Sequence, residues 1–162
     1  MPVLLVFFYQ GQALRVWNAS NRILGANILW RDCMYTFTVT TRRKDQIVDI
    51  SDTVHDYLRK EPREDGLCSL FVAHTTCALT TADLDPGTDQ DLLDALRHLL
   101  PELSYRHPHN PEHAPDHLLS SLLGPGLVLP YARHRLLLGT WQRVVLVELD
   151  GPRQRLMHLS TF

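Results

Sequence analysis

The chain has 162 residues, 44% of them hydrophobic and 21% charged, a balance that excludes a disordered chain and suits one domain of ordinary size. Its 18 acidic against 16 basic residues leave a net charge of −2, so a broad basic footprint for nucleic acid is absent. No apolar run reaches the roughly 18 residues that a membrane-crossing helix needs.

Residues 3–9 (VLLVFFY) form a short apolar run with no Lys or Arg before it, which argues against a secretory leader. Asn18-Ala19-Ser20 matches a glycosylation sequon, a match without meaning in a cytosolic chain. Residues 10–33 carry no sustained period. At Met34 the character changes, and residues 35–41 (YTFTVTT) alternate as a half-buried strand does. Residues 1–33 therefore read as an N-terminal extension and 34–162 as the compact domain. Cys33, Cys68 and Cys77 make no disulfide framework. Cys68 and Cys77 sit in apolar stretches as small core residues, and reduced thiols point to a cytoplasmic protein.

Residues 49–52 (DISD) offer capping oxygens for a helix carrying Val54, Tyr57 and Leu58, stopped by Pro62. Residues 67–73 (LCSLFVA) read as a buried strand, and 82–87 (ADLDPG) as a loop. Residues 89–100 form an amphipathic helix whose stripe is Leu92, Leu93, Leu96, Leu99 and Leu100, ended by Pro101. After a polar loop, Pro115 suits the first turn of another helix with Leu118, Leu119, Leu122 and Leu123 as its buried face. Gly124 suits its left-handed C-cap. Residues 127–129, 135–138, 141–149 and 155–160 read as strands, with Asp150-Gly151 as a hairpin turn. Strands grouped at the ends with helices between them predict an α+β fold.

His107, His109, His113 and His117 fall close together. Three imidazoles around an open position make a zinc pattern, but loop histidines are often merely exposed. His113 and His117 are four apart, and Pro115 argues against one helical face carrying both. His74 follows a strand, where sites are commonly placed, or it is a ring satisfied by neighbouring backbone. Asp83 and Asp85 fit metal ligands, orienters of a histidine, or turn residues. Trp141 with Gln142 suits a planar ring held by stacking and hydrogen bonds, or a core indole. Arg153 and Arg155 alternate, so both guanidiniums can grip one phosphate if they share a face.

The run His74-Thr75-Thr76-Cys77-Ala78-Leu79-Thr80 comes first. Asp85-Pro86, Tyr105-Arg106-His107, residues 116–124 (DHLLSSLLG) and Gly139-Thr140-Trp141-Gln142 follow in that order. In combination they resemble the YjbQ-type family, also called the secondary thiamine-phosphate synthase family, over residues 34–160. The resemblance implies two packed, mostly antiparallel β-sheets with flanking helices, and a homotrimer with its site near subunit boundaries. It implies weak thiamine-phosphate synthase activity, in which a pyrimidine diphosphate and a thiazole phosphate join and pyrophosphate leaves. The alternative is a non-catalytic trimer that binds a metal or an anion. On this resemblance His74, Thr75, Asp83, Asp85 and Gln142 are catalytic. Thr76, Trp141, Arg153 and Arg155 hold a small phosphorylated ligand. His74, His107 and His117 hold a divalent metal, zinc by its imidazole ligands or magnesium if Asp83 or Asp85 contributes. Two departures stand out. Residues 81–84 (TADL) lack the family's Asn-Glu pair and are one residue shorter, and Arg133-His134-Arg135 replaces a glycine turn.

Overall fold

In the computed structural model the described residues are 16–17, 23–24, 34–108 and 110–162. Residues 3–9, the sequon, Cys33 and His109 lie outside them. A first unit, Met1–Asp32, contains strands β1 (Val16–Trp17) and β2 (Ile23–Leu24), paired antiparallel. The second unit, Cys33–Phe162, begins with β3 (Met34–Thr40), β4 (Gln46–Asp49), α1 (Ser51–Leu58), β5 (Gly66–Val72) and β6 (Cys77–Ala82). It continues with α2 (Thr88–His98), a 3-10 turn (Pro111–His113) and α3 (Ala114–Leu123), and ends with β7 (Gly126–Ala132), β8 (Arg135–Leu136), β9 (Arg143–Glu148) and β10 (Gln154–Thr161).

The strands make a five-stranded sheet in the order β3-β10-β5-β7-β8 and a three-stranded sheet in the order β4-β9-β6. Every pairing in both is antiparallel. β9 explains the layering. Val144 and Leu146 face the large sheet and join Leu70, Val72, Met157 and Leu159. Val145 and Val147 face the other way and meet Leu93 and Leu96 of α2 and Leu119 of α3. An unbroken apolar run is what a strand covered on both faces requires. Each such side chain contributes about 1.5–3 kcal/mol by leaving water. β10 instead alternates, with Arg155, Met157, Leu159 and Thr161 buried, because within the second unit the described residues cover the large sheet on one face only. The result is sheet on sheet with α2 and α3 outside the small sheet, the predicted α+β class.

Local expectations fail where packing overrides pattern. Asp150-Gly151 is not a hairpin turn, because β9 and β10 belong to different sheets; the segment carries the chain from one layer to the other. On α3, Leu118 and Leu122 are 41% and 71% exposed, and the buried face is Ala114, Asp116, Leu119 and Ser120. On α2, Leu99 is exposed. Gly124 has φ +97 with ψ 149, a conformation open to glycine but extended rather than left-handed helical. Arg133 and His134 both take positive φ in the tight β7–β8 turn. Contacts offset that strain: Asp65 Oδ1 accepts the Arg133 N–H at 2.9 Å, and His134 Nδ1 meets the Leu58 carbonyl at 3.0 Å.

Candidate functional site

Three segments carry the chain between the two sheets at the same end of the sandwich. They are residues 41–45 between β3 and β4, 73–76 between β5 and β6, and 149–153 between β9 and β10. The first turn of α3 approaches that end from the helix layer. An open cavity of about 640 Å³ lies there, lined by His74, Thr75, Thr76, His113, His117 and residues 150–155 in part. Crossing segments leave the ladder, so their polar side chains are free to point inward; this is why the cavity is polar.

His74 Nε2 accepts the Leu156 backbone N–H at 2.8 Å, which puts the proton of the neutral ring on Nδ1. Burial lowers its pKa, Arg155 and then Arg153 lower it further, and Glu148 opposes them. His74 is thus a neutral ring offering an N–H. His117 Nδ1 meets the Thr75 carbonyl at 3.1 Å, so Nδ1 donates and Nε2 is left as an acceptor. The His107 ring lies 5.1 Å from that of His117, tilted by 14°, and its Nδ1 accepts the Asn110 N–H at 3.3 Å.

Arg155 and Arg153 both reach the cavity but do not share a role. Arg155 is 2% exposed and faces inward. Its Nε donates to Glu148 Oε2 at 2.7 Å and its Nη2 to Glu148 Oε1 and to Thr76 Oγ1, the latter at 3.1 Å. Thr41 Oγ1 also donates to Glu148, at 2.9 Å. Arg155 is therefore a buried ion-pair partner forming the cavity floor, and Thr76 is held by it. Arg153 precedes β10; its Nη2 and Nε donate to Asp150 Oδ2 and the Asp150 carbonyl, both at 2.7 Å. The shared strand face expected for the two arginines does not form, because Arg153 lies in the crossing segment.

The acid and amide residues are elsewhere. β6 runs from Cys77, beside Thr76, to Ala82, beside Asp83, so at about 3.3 Å per residue Asp83 lies roughly 20 Å from Thr76. Asp83 Oδ1 accepts the Asp85 N–H at 3.0 Å and the Asp85 carbonyl accepts Thr88 Oγ1 at 2.6 Å; within one chain both acids shape the turn before α2. Gln142 Oε1 accepts the Gly139 N–H at 2.8 Å, and its Nε2 is 3.5 Å from Thr81 Oγ1. Trp141 is 64% exposed, not a core indole. A smaller pocket of about 330 Å³ at this end is lined by Thr80, Thr81, Asp83 and Thr88 over Leu92, Leu96 and Leu123.

The donor set does not fit a divalent metal. His74 Nε2 is occupied by backbone, Asp83 and Asp85 are at the far end, and among the described residues no group of three or more His, Cys, Asp or Glu is placed to hold an ion. The structure thus pairs His107 with His117 but gives no three-imidazole centre. Sequence reasoning set His113 aside, yet it lines the cavity. The turn Pro111–His113 runs directly into α3, so Pro115 falls in the first turn, where no N–H is missed. The four-residue spacing to His117 was the usable signal. Asp150 was also missed, read only as a turn residue.

The family description "UPF0047 protein YjbQ-like" matches residues 35–162. A UPF0047 protein of Mycobacterium bovis is 41% identical over 119 residues, covering 71% of this chain and 89% of that one. The UPF0047 protein YjbQ of Salmonella typhimurium is 34% identical over 128 residues, covering 74% and 93%. Among solved structures, a YbjQ-like protein of unknown function from Sulfolobus solfataricus superposes with a TM-score of 0.74 at 34% identity, covering 80% of this chain and 95% of that one. A conserved hypothetical protein from Thermus thermophilus gives 0.71 at 37% identity, covering 79% and 99%. The chain belongs to the UPF0047, YjbQ-like family.

Proposed function

We propose that the protein binds a small phosphorylated ligand in the cavity at the sheet-crossing end. The observation that carries this reading is the convergence of donors of different chemistry on one space: the neutral His74 N–H, the Thr75 and Thr76 hydroxyls, and the guanidiniums of Arg153 and Arg155. Guanidiniums and N–H groups suit phosphate oxygens. His117 adds an imidazole held in place by the Thr75 carbonyl through Nδ1.

The catalytic reading is a weak thiamine-phosphate synthase-type transfer, with pyrophosphate leaving against Arg153 and Arg155. It places Thr75 beside the reacting groups and leaves the ring to Trp141 and Gln142. Because Asp83 lies roughly 20 Å from Thr76 along β6, with Asp85 beside it and Gln142 beside Thr81, this transfer requires the counterparts of these residues and of Trp141 from a neighbouring copy. A homotrimer is the assembly proposed. Supporting self-association, the outer face of the large sheet exposes Leu67 (40%), Phe71 (45%), Val128 (55%) and Leu156 (40%), an apolar patch of the kind that marks interfaces. The proposed location is the cytoplasm, supported by the reduced, buried Cys68 and Cys77. Among the described residues no helix is long and apolar enough to cross a membrane.

The test is calorimetric titration of the full-length protein with orthophosphate and pyrophosphate, beside product formation from the pyrimidine diphosphate and thiazole phosphate. Binding that weakens about tenfold or more in Arg153→Ala supports the ligand site. Turnover abolished in His74→Ala at saturating substrate supports the transfer. Equal rates in wild type and His74→Ala refute the catalytic assignment, and no anion binding refutes the site.

A further inference from the structure

The smaller pocket, about 330 Å³ beside α2, has no part in the phosphorylated-ligand reading. Its floor is apolar. Leu92 and Leu96 lie one turn apart on α2, which puts them on one helix face, and Leu123 ends α3. β6 forms the opposite wall, and there one residue breaks the pattern. Ala78 and Ala82 face the helix layer and belong to its apolar cluster. Thr80 stands between them and so points the same way. It is half-buried and lines the pocket. Among the described residues its hydroxyl has no hydrogen-bond partner. Turning an unpartnered hydroxyl into an apolar layer is costly, and valine would fill nearly the same space without that cost.

The mouth of the pocket is acidic. Asp83 is exposed on its rim. Asp83 Oδ1 accepts the Asp85 N–H at 3.0 Å, which leaves Oδ2 open among the described residues. Asp85 follows in the turn, and Asp89 and Asp91 in the first turn of α2. Among the described residues none of these four carboxylates is in an ion pair. Opposing them are Arg143, paired in register with Ala82, and the N-terminus of α2, equivalent to about half a positive charge. The carboxylates outweigh both. This is the reverse of the larger cavity, where Arg153, Arg155 and three histidines line the walls.

We propose that this pocket is a second binding site, for a small organic amine in its ammonium form. The ammonium group meets Asp83 Oδ2, and the apolar body lies on Leu92, Leu96 and Leu123. Thr80 supplies one hydrogen bond to a second polar group of the ligand. At about 3.3 Å per residue Thr80 and Asp83 stand roughly 10 Å apart along β6, so that second group sits at the end of the ligand far from its nitrogen. The volume is near the lower bound for small-molecule pockets, which limits the body to about one ring. The same carboxylates repel a phosphate. The site lies within one chain and stands independently of the phosphorylated-ligand reading.

The test titrates the full-length protein at neutral pH with phenethylamine, tyramine, 2-phenylethanol and phenylacetate, which share one body and differ in their polar groups. Affinities come from calorimetry, and the location from the leucine methyl NMR signals. Wild type is expected to bind phenethylamine about threefold or more tighter than 2-phenylethanol, tyramine about threefold tighter again, and phenylacetate most weakly. The methyl signals of Leu92, Leu96 and Leu123 are expected to shift saturably. Asp83→Asn keeps the oxygen that accepts the Asp85 N–H, so the turn is preserved, and it is expected to bind phenethylamine and 2-phenylethanol alike. Thr80→Val is expected to lose the tyramine advantage and keep its affinity for phenethylamine. Thermal unfolding checks that each variant is folded, and if one is not, the wild-type order of the probes and the methyl shifts decide. Phenylacetate binding as tightly as phenethylamine, an amine preference retained in Asp83→Asn, saturable shifts confined to other leucines, or no binding of any probe overturns the proposal.

Discussion

Arg155 of the large sheet donates from Nε to Glu148 of the small sheet over 2.7 Å, and both side chains are buried, at 2% and 0% exposure. This pair is the polar tie between two otherwise apolar sheet faces. Burial alone raises the Glu148 pKa, but the Arg155 hydrogen bonds, the Asp150 N–H and Thr41 outweigh it and hold the carboxyl below its ordinary value. Arg155→Met leaves that carboxylate uncompensated and is expected to cost about 3–5 kcal/mol. Chemical denaturation of the variant at neutral pH checks this. A loss under about 1 kcal/mol would show that the pair does not hold the sheets.

Cys68 and Cys77 are fully buried, and burial pushes both thiols up to about 11. Neither is expected to react with a thiol reagent in the folded protein at pH 8, whereas both react on unfolding. Mass spectrometry after brief labelling, read peptide by peptide, distinguishes them from Cys33.

His74 is held neutral, its pKa lowered first by burial and then by Arg155 and Arg153. Its unfolded value, near 6.5, is higher, so the unfolded chain takes up the proton first as pH falls. The stability that His74 contributes is complete above about pH 6.5 and is lost as pH drops below it. His55 works in the same direction, again chiefly through burial. The melting temperature is expected to fall on acidification from pH 7 to 5, with a shallower slope in His74→Gln. An unchanged slope would remove His74 from that transition.

Gly151 is required by packing. A Cβ there would strike the Arg43 carbonyl and come within 2.9 Å of the Glu148 side chain. Gly151→Ala is expected to destabilise the protein by about 1–3 kcal/mol, read by chemical denaturation at neutral pH. Unchanged stability would show that the crossing segments give way.

The fold was legible in the sequence where one pattern had one meaning. The apolar run of β9, the alternation of β3 and β10 and the leucine stripe of α2 each specify a burial pattern that the sheets and helices supply. The short strand β4, with its four residues, carries too little pattern to be seen, and β6 hides because Cys77-Ala78-Leu79 is covered on both faces. Site legibility split in the same way. His74, Thr75, Thr76 and His117 were readable from their motifs and share the cavity. The separation of Asp83 and Gln142 from them was not, because motif order says nothing of strand direction. Nor was the turn at Asp150-Gly151, where a hairpin signal and a crossing between sheets use the same residues, and the placement of β9 and β10 in different sheets tells them apart.

The most direct test of the phosphorylated-ligand site is a titration of the isotopically labelled full-length protein with pyrophosphate, following the imidazole NMR signals of assigned histidines. The account predicts saturable shifts of His74 and His117, with His134, pinned to Leu58, and His158, paired with Thr36 on the outer sheet face, unmoved. Shifts confined to His134 or His158, or no saturable shift in His74 and His117, would contradict it.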